Sequence, residues 1–365
     1  MKYNLNHIAK TAVKAEIEEQ LNSTHFLQKS LSHQIIKKGV LLPSLDYDKK
    51  GLLPGGIIDA EGKYIESSAF AEGRCKPYLL KDTPSVRPEK VLFIGFFLNC
   101  YGHGITDNIK KLWWLKQNKW EGRIIYITER NAILPKWQIE IFRLAGFDTN
   151  KWEQITHPTQ FKEILIPDNS IINKHEFRMY TKEYKQLIET IKKKIPQDIP
   201  TYEKIYFTRT GIKNIWREFG EHFVEAIYQK KGFTIISPEK LSVEKQIGLM
   251  MNCKSFVSTE GSCAHNTIFC PPHTKVTILR KADYANSYQM MINECANLDV
   301  TYIDVHHSSK ANKIQPWHGP FYLCITKYLA EYLNWHYYIP YWAHLSYWIY
   351  YRQAWEKYKK FYNKK

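Results

Sequence analysis

Ser255-Phe-Val-Ser-Thr-Glu-Gly-Ser-Cys-Ala-His-Asn-Thr-Ile-Phe269 reads as a buried strand, a turn of small residues and the start of a helix near Ala264. Gly261 lets the backbone come close to a ligand, because no Cβ stands in the way. The N–H groups around Ser262 to His265 would then point at an anion, helped by the helix dipole. His265 and Asn266 can add side-chain hydrogen bonds to a phosphate or a ribose. The same pattern also suits an ordinary strand–turn–helix corner whose polar residues serve as caps.

Outward from this stretch the chain repeats one alternation. Lys204-Ile-Tyr-Phe-Thr is a predicted strand, Phe219 to Lys231 a helix ended by Gly232, and Phe233-Thr-Ile-Ile-Ser a strand. Ser242 to Asn252 is a helix with Ser242 as N-cap, Lys275-Val-Thr-Ile-Leu a strand, and Val300 to Val305 closes the series. Upstream, the apolar runs Lys90 to Phe97, Arg123 to Thr128 and Phe161 to Pro167 predict strands. Asp107 to Gln117, Pro135 to Ala145 and Thr181 to Lys194 predict helices, and so does Ile17 to Leu31. Strands alternating with helices argue for parallel sheets. Pro196 and Pro200 flank a polar stretch that marks the boundary. The expected organisation is two Rossmann-like domains, 1–195 and 196–310, with a cleft between them, then 311–365 as a C-terminal helical segment.

The chain has 365 residues, which suits two middling α/β domains. Its formal charge of +16 points to an anionic partner: nucleic acid, anionic lipid headgroups or phosphorylated small molecules. No RRM, KH or helix-turn-helix signature supports nucleic acid. Seven scattered cysteines without a CxxC pair argue against a zinc knuckle or a disulfide framework and fit a reducing cytoplasm. The first residues lack the apolar core of a secretory signal. No stretch reads as a clean membrane span. Tyr332 to Tyr351 is rich in Tyr and Trp but interrupted by Asn334, His336, Pro340 and His344. Aromatic and basic residues from Phe321 to Lys365 suit either a headgroup layer or a terminal helix packed back on the N-terminal domain.

Three further motifs bear on chemistry. Ile205-Tyr-Phe-Thr-Arg-Thr-Gly places Arg209 just past a strand, where paired N–H donors can clamp a diphosphate, and Arg217 follows. The alternative is two solvated surface charges. Asn99-Cys-Tyr-Gly-His-Gly-Ile-Thr-Asp-Asn sets His103 and Asp107 four apart, on one face if both are helical. Either can take a proton from a hydroxyl, although a helix-capping Asp is the commoner use of such a position. Asp46-Tyr-Asp48 has the form of a metal-holding triplet but sits among Pro and Gly without a preceding strand, so a turn is expected. His306-His307 reads as a polar loop with no third ligand nearby.

Phe207-Thr-Arg209, Arg217-Glu218, Gly232-Phe233, Gln246, Glu260-Gly261-Ser262 and His265-Asn266-Thr-Ile-Phe269-Cys-Pro-Pro resemble, in that order and spacing, glycosyltransferase family 61. Tyr101-Gly-His103 with Asp107, ahead of Leu112-Trp113-Trp114, resembles the first-half motif of that family. The resemblance covers roughly residues 90–305. It implies a GT-B-type fold with 1–195 binding the acceptor and 196–310 the nucleotide-sugar, an inverting mechanism and a UDP-sugar donor, with bacterial members linked to capsule or lipopolysaccharide assembly. Donor contacts then fall to Arg209, Arg217, Gly261, Ser262, His265 and Asn266, and the base to Asp107, then His103, then Glu260. Many members carry His-Gly-Ala where this chain has Glu260-Gly261-Ser262, which leaves Glu260 facing the ribose or acceptor, or acting as the base. No metal cofactor is needed where protein cations neutralise the leaving group. The acceptor expected is an oligosaccharide or lipid-linked glycan, reached from the cytoplasm or peripherally at the inner face of the plasma membrane. A glycan- or nucleotide-sugar-binding protein without turnover is the alternative.

Overall fold

The computed structural model describes residues 1–174, 177–212, 218–306, 319–336 and 345–363. Arg217, His307 and the stretch 337–344 lie outside the described residues. The chain divides into two compact units: 25–195, and 1–24 together with 196–365. The first residues therefore differ from the expected 1–195 grouping. Strand β1 (Lys2–His7) pairs in parallel with a strand near residue 300, and helix α1 (Thr11–Asn22) comes next. The helix expected over Ile17 to Leu31 stops at Asn22 because the next residues are claimed elsewhere: Leu27 N–H donates to the Tyr180 carbonyl at 2.8 Å.

Unit 25–195 is built on one mixed sheet. Its strands are β2 (His33–Lys37), β3 (Val40–Leu42), β4 (Gly56–Ile58), β5 (Ser85–Phe97), β6 (Arg123–Thr128), β7 (Trp152–Gln154) and β8 (Thr159–Pro167). The order is β4-β3-β8-β5-β6-β7, with β2 also paired to β8. The strands from β8 to β7 run parallel, and β2, β3 and β4 add antiparallel partners. Val91, Phe93, Ile125, Phe161 and Ile164 form its apolar centre. Chain order steps from β5 outward to β6 and β7, then crosses to β8 on the other side of β5. That reversal makes a topological switch point at the carboxyl end of β5, where open α/β sheets receive ligands.

The single helix expected over Asp107 to Gln117 is broken. After β5 the four-residue α2 (Tyr101–Gly104) gives way to a 3₁₀ turn at Asp107–Ile109 and then to α3 (Trp113–Gln117). The break has a local cause: the Lys110 carbonyl accepts from Ser170 N at 2.9 Å and from Ser170 Oγ at 2.7 Å, so it is committed outside the helix. Helices α4 (Lys136–Leu144) and α5 (Lys182–Lys192) complete the unit.

The other unit carries a parallel sheet. Among the described residues the strands of this sheet after Pro196, with the α-helices between them, are β9 (Lys204–Phe207), α6 (Glu221–Lys230), β10 (Thr234–Ile236), α7 (Val243–Asn252), β11 (Ser255–Thr259), α8 (Ser262–His265), β12 (Lys275–Arg280), α9 (Ser287–Cys295) and β13 (Asp299–Asp304). The order is β1-β13-β12-β11-β9-β10. All five pairings are parallel. Strands β11 and β12 are buried along nearly their whole length, as strands covered on both faces are. Ser242 does cap α7, accepting from Lys245 N at 3.3 Å. Here the switch point lies between β9 and β11, since β10 goes to one side of β9 and β11 to the other.

The helix expected from Phe219 begins at Glu221 instead. Glu218 and Phe219 form a short parallel pair with Phe321 and Tyr322, and Gly220 turns the chain into α6 with φ +88°. The C-terminal helices α10 (Lys327–Tyr332) and α11 (Leu345–Asn363) belong to this same unit, not to the N-terminal domain. Tyr351 and Ala354 of α11 pack on Phe219 and Tyr322. Among the described residues no helix is long and apolar enough to cross a membrane.

Gly220→Ala should destabilise this unit by about 2 kcal/mol or more. Its Cβ would meet the Leu323 carbonyl oxygen at 2.2 Å on a backbone that favours glycine. Denaturant unfolding measures the change, and a loss within a few tenths of a kcal/mol would contradict this packing.

Candidate functional site

In unit 25–195 the end of β5 is pinned by Asn108. Its amide oxygen accepts from Leu98 N at 3.0 Å and its amide nitrogen donates to Leu98 O at 2.9 Å. This fixes the loop that carries His103 and Asp107. His103 Nδ1 lies 2.7 Å from Asp107 Oδ2, and Thr106 Oγ1 donates to the same oxygen at 3.3 Å. The two residues are not equivalent. The Asp107 side chain is 0% exposed, whereas that of His103 is 29% exposed. Burial opposes the imidazolium of His103, but the hydrogen bond and charge of Asp107 outweigh it and raise the pKa above the ordinary 6.5. Phe70 meets the imidazole edge to face.

Two lysines that the sequence motifs do not single out are buried a few residues after this pair. Lys110 Nζ donates to the Phe70 carbonyl, and Lys111 Nζ to the Pro167 carbonyl at 2.6 Å. Burial lowers both pKa values, and Asp107 partly restores that of Lys110. A sequence signal existed: adjacent lysines set in the apolar run Ile109 to Trp114.

In the other unit, three neighbouring strand ends supply the polar groups. Arg209 lies just past β9, Glu260 and Gly261 past β11, and Lys281 past β12. Arg209 Nε donates to Glu218 Oε1 at 2.8 Å, and Lys281 Nζ donates to the same oxygen at 2.7 Å. The Glu218 side chain is 1% exposed, Lys281 7% and Arg209 21%. Burial would raise the Glu218 pKa, but the two cations outweigh it and hold the carboxyl below its usual range. Glu221 differs: burial first, then the Glu218 charge, push its carboxyl up to about 8. Its two oxygens accept from Arg209 N at 3.2 Å each. Glu218, Glu221 and Lys281 were not among the sequence candidates, because their roles come from partners distant in sequence.

The remaining candidates occupy different positions. Gly261 and Ser262 are partly exposed. His265 and Asn266 are buried, and the Asn266 amide donates to the Cys263 carbonyl at 3.3 Å. Helix α8 has four residues, so it has little aligned dipole to offer an anion. Glu260 is fully buried, and neither carboxylate oxygen has a hydrogen-bond partner among the described residues. Burial pushes its pKa up to about 7 against the charges of Arg280, Lys281 and His306. Asp48 is a turn residue: its Oδ1 accepts from Lys50 N at 2.9 Å and Leu52 N at 2.8 Å. His306 is taken by the Arg280 carbonyl at 3.0 Å and by Asp283 at 2.9 Å.

A raised carboxyl pKa favours the folded state below the ordinary value of 4.5, and that advantage is lost as pH rises towards about 7. Glu260→Gln should therefore match the wild type in stability near pH 4 and exceed it by up to about 3 kcal/mol above pH 7. Unfolding of both proteins across this range tests it, and a difference that does not vary with pH would refute it.

The family model described as Glycosyltransferase 61 matches residues 101–277. No curated protein matches the chain.

Proposed function

From the glycosyltransferase 61 domain at residues 101–277, we propose that the protein is an inverting glycosyltransferase that moves a sugar from a UDP-sugar to a hydroxyl of a surface glycan. The observation that carries this reading is the His103–Asp107 pair at the switch point of its sheet. Asp107, the first-ranked base on sequence, is too buried to reach a hydroxyl and acts on His103. With Nδ1 held by Asp107, the imidazole takes the acceptor proton through Nε2 as the oxygen attacks the anomeric carbon. The proton passes to histidine, the new glycosidic bond forms, and the bond to the diphosphate breaks with its electron pair leaving on the phosphate. In the other unit Arg209, just past β9, is the proposed donor-phosphate residue, with a guanidinium suited to the charge that develops on a departing diphosphate.

Two experiments test the reading. UDP should raise the thermal midpoint of the wild type, with or without EDTA, and not that of Arg209→Ala. No response to any nucleoside diphosphate would turn the reading towards a glycan-binding module without turnover. For the base, kcat/KM should fall as pH drops through a pKa above 6.5, since only neutral imidazole accepts a proton. His103→Ala should lower kcat by roughly two to four orders of magnitude and leave UDP binding intact. In Asp107→Asn the acid limb should move to lower pH, because burial then acts on His103 without the opposing charge of Asp107. An acid limb in the carboxylate range that vanishes in Asp107→Asn would make Asp107 the base.

A further inference from the structure

The arrangement around Glu218 contains one cation more than its charges need. Arg209 and Lys281 both donate to a single carboxylate oxygen. Glu221, the other acid in contact with Arg209, is held in its neutral form at pH 7 by burial and by the Glu218 charge. Arg209 and Lys281 thus set two positive charges against the one negative charge of Glu218, and the next acid to feel Lys281 is Glu260, whose carboxyl burial pushes up to about 7. An uncompensated buried cation is costly unless an anion completes it.

The space for that anion is defined by Gly261. Its φ of +120° suits glycine, and a Cβ built there would have Lys281 Nζ at 3.6 Å. Among the described residues no other heavy atom outside its chain neighbours comes within 4 Å of that position. The absent side chain leaves a hollow with an ammonium on its wall. Arg209 borders the same turn, with Nη1 3.9 Å from Cys263 Sγ. The ring of Phe321 lies 4.3 Å from Lys281 Nζ and limits where that ammonium can go.

We propose that Lys281 is a second phosphate-binding residue: with Arg209 it receives the phosphoryl oxygens of a nucleoside diphosphate lying beside Gly261, and Glu218 is the internal counterion that holds both cations ready. The inference rests on the donor reading above and adds a residue outside the matched span of 101–277. Both nitrogens reach one carboxylate oxygen, so adjoining phosphoryl oxygens can span them. Glu218 fixes the direction of the two donors before the anion arrives, which reduces the ordering cost of binding.

Calorimetric titration of the full chain with UDP, uridine and inorganic pyrophosphate tests the assignment. Lys281→Met should weaken UDP and pyrophosphate by about tenfold or more and leave uridine unchanged. Lys281→Arg should keep most of the affinity. Glu218→Gln carries the test in the opposite sense if the Met variant does not fold. The amide oxygen of the introduced glutamine still accepts from both donors and keeps their direction, so with the counterion neutralised the pair should bind pyrophosphate more tightly and with a steeper loss in salt. A folded Lys281→Met protein that binds UDP like the wild type would overturn the inference alone, and so would unchanged or weaker pyrophosphate binding by Glu218→Gln. A wild type that binds neither UDP nor pyrophosphate would remove the donor reading and this inference with it.

Discussion

One carboxylate organises the carboxyl end of the parallel sheet. Glu218 is almost fully buried, and it remains ionised because Arg209 and Lys281 share its oxygen. Removing Glu218 would leave two cations facing one another away from water, which is far more costly than the loss of a surface pair. The placement of Glu218 depends on a very short strand pair, Glu218–Phe219 against Phe321–Tyr322, with α11 packed on its apolar side. The aromatic residues of the C-terminal helix therefore support the strand that positions the carboxylate, and Gly220 provides the turn that brings Glu221 in behind it.

Unit 25–195 uses a related principle for a different purpose. Asp107 is buried and engaged by His103 and Thr106, with Lys110 as a nearby positive charge. Its effect appears at the more exposed imidazole, whose affinity for a proton it raises. In both units a carboxylate removed from water acts on a neighbouring group that can meet a ligand. The backbone around each is held by side-chain bonds to carbonyls, as Asn108 does for Leu98, and long helices play little part at either site.

The apolar runs made the sheets legible. Lys90 to Phe97, Arg123 to Thr128 and Lys275 to Leu279 are strands because their burial is continuous and needs no distant partner to be recognised. The i, i+4 spacing likewise brought His103 and Asp107 together. Their division of labour was not legible, since spacing says nothing about which of two polar residues is buried. Strand β1 was hidden for a similar reason: Lys-Tyr-Asn-Leu-Asn-His buries only Leu5 at a sheet edge, so its pattern is weak. Lys281 looked like one more charge in a basic chain until Glu218, 63 residues away, gave it a partner.

The edge strand β1 has a consequence for how the chain assembles. Lys2 N–H reaches the Asp299 side chain across 297 positions of sequence, so β1 is synthesised long before the neighbour that it pairs with. The intervening residues 25–195 make a compact unit of their own and can form while β1 is still unpaired. Closing so long a loop costs little more than closing one half its length, because that entropy grows only with the logarithm of length. The exposed edge of β13 stays open to foreign strands until β1 arrives. Strand β1 thus serves as a late-closing cover for the sheet, and a tag fused ahead of Met1 would sit beside that closing edge.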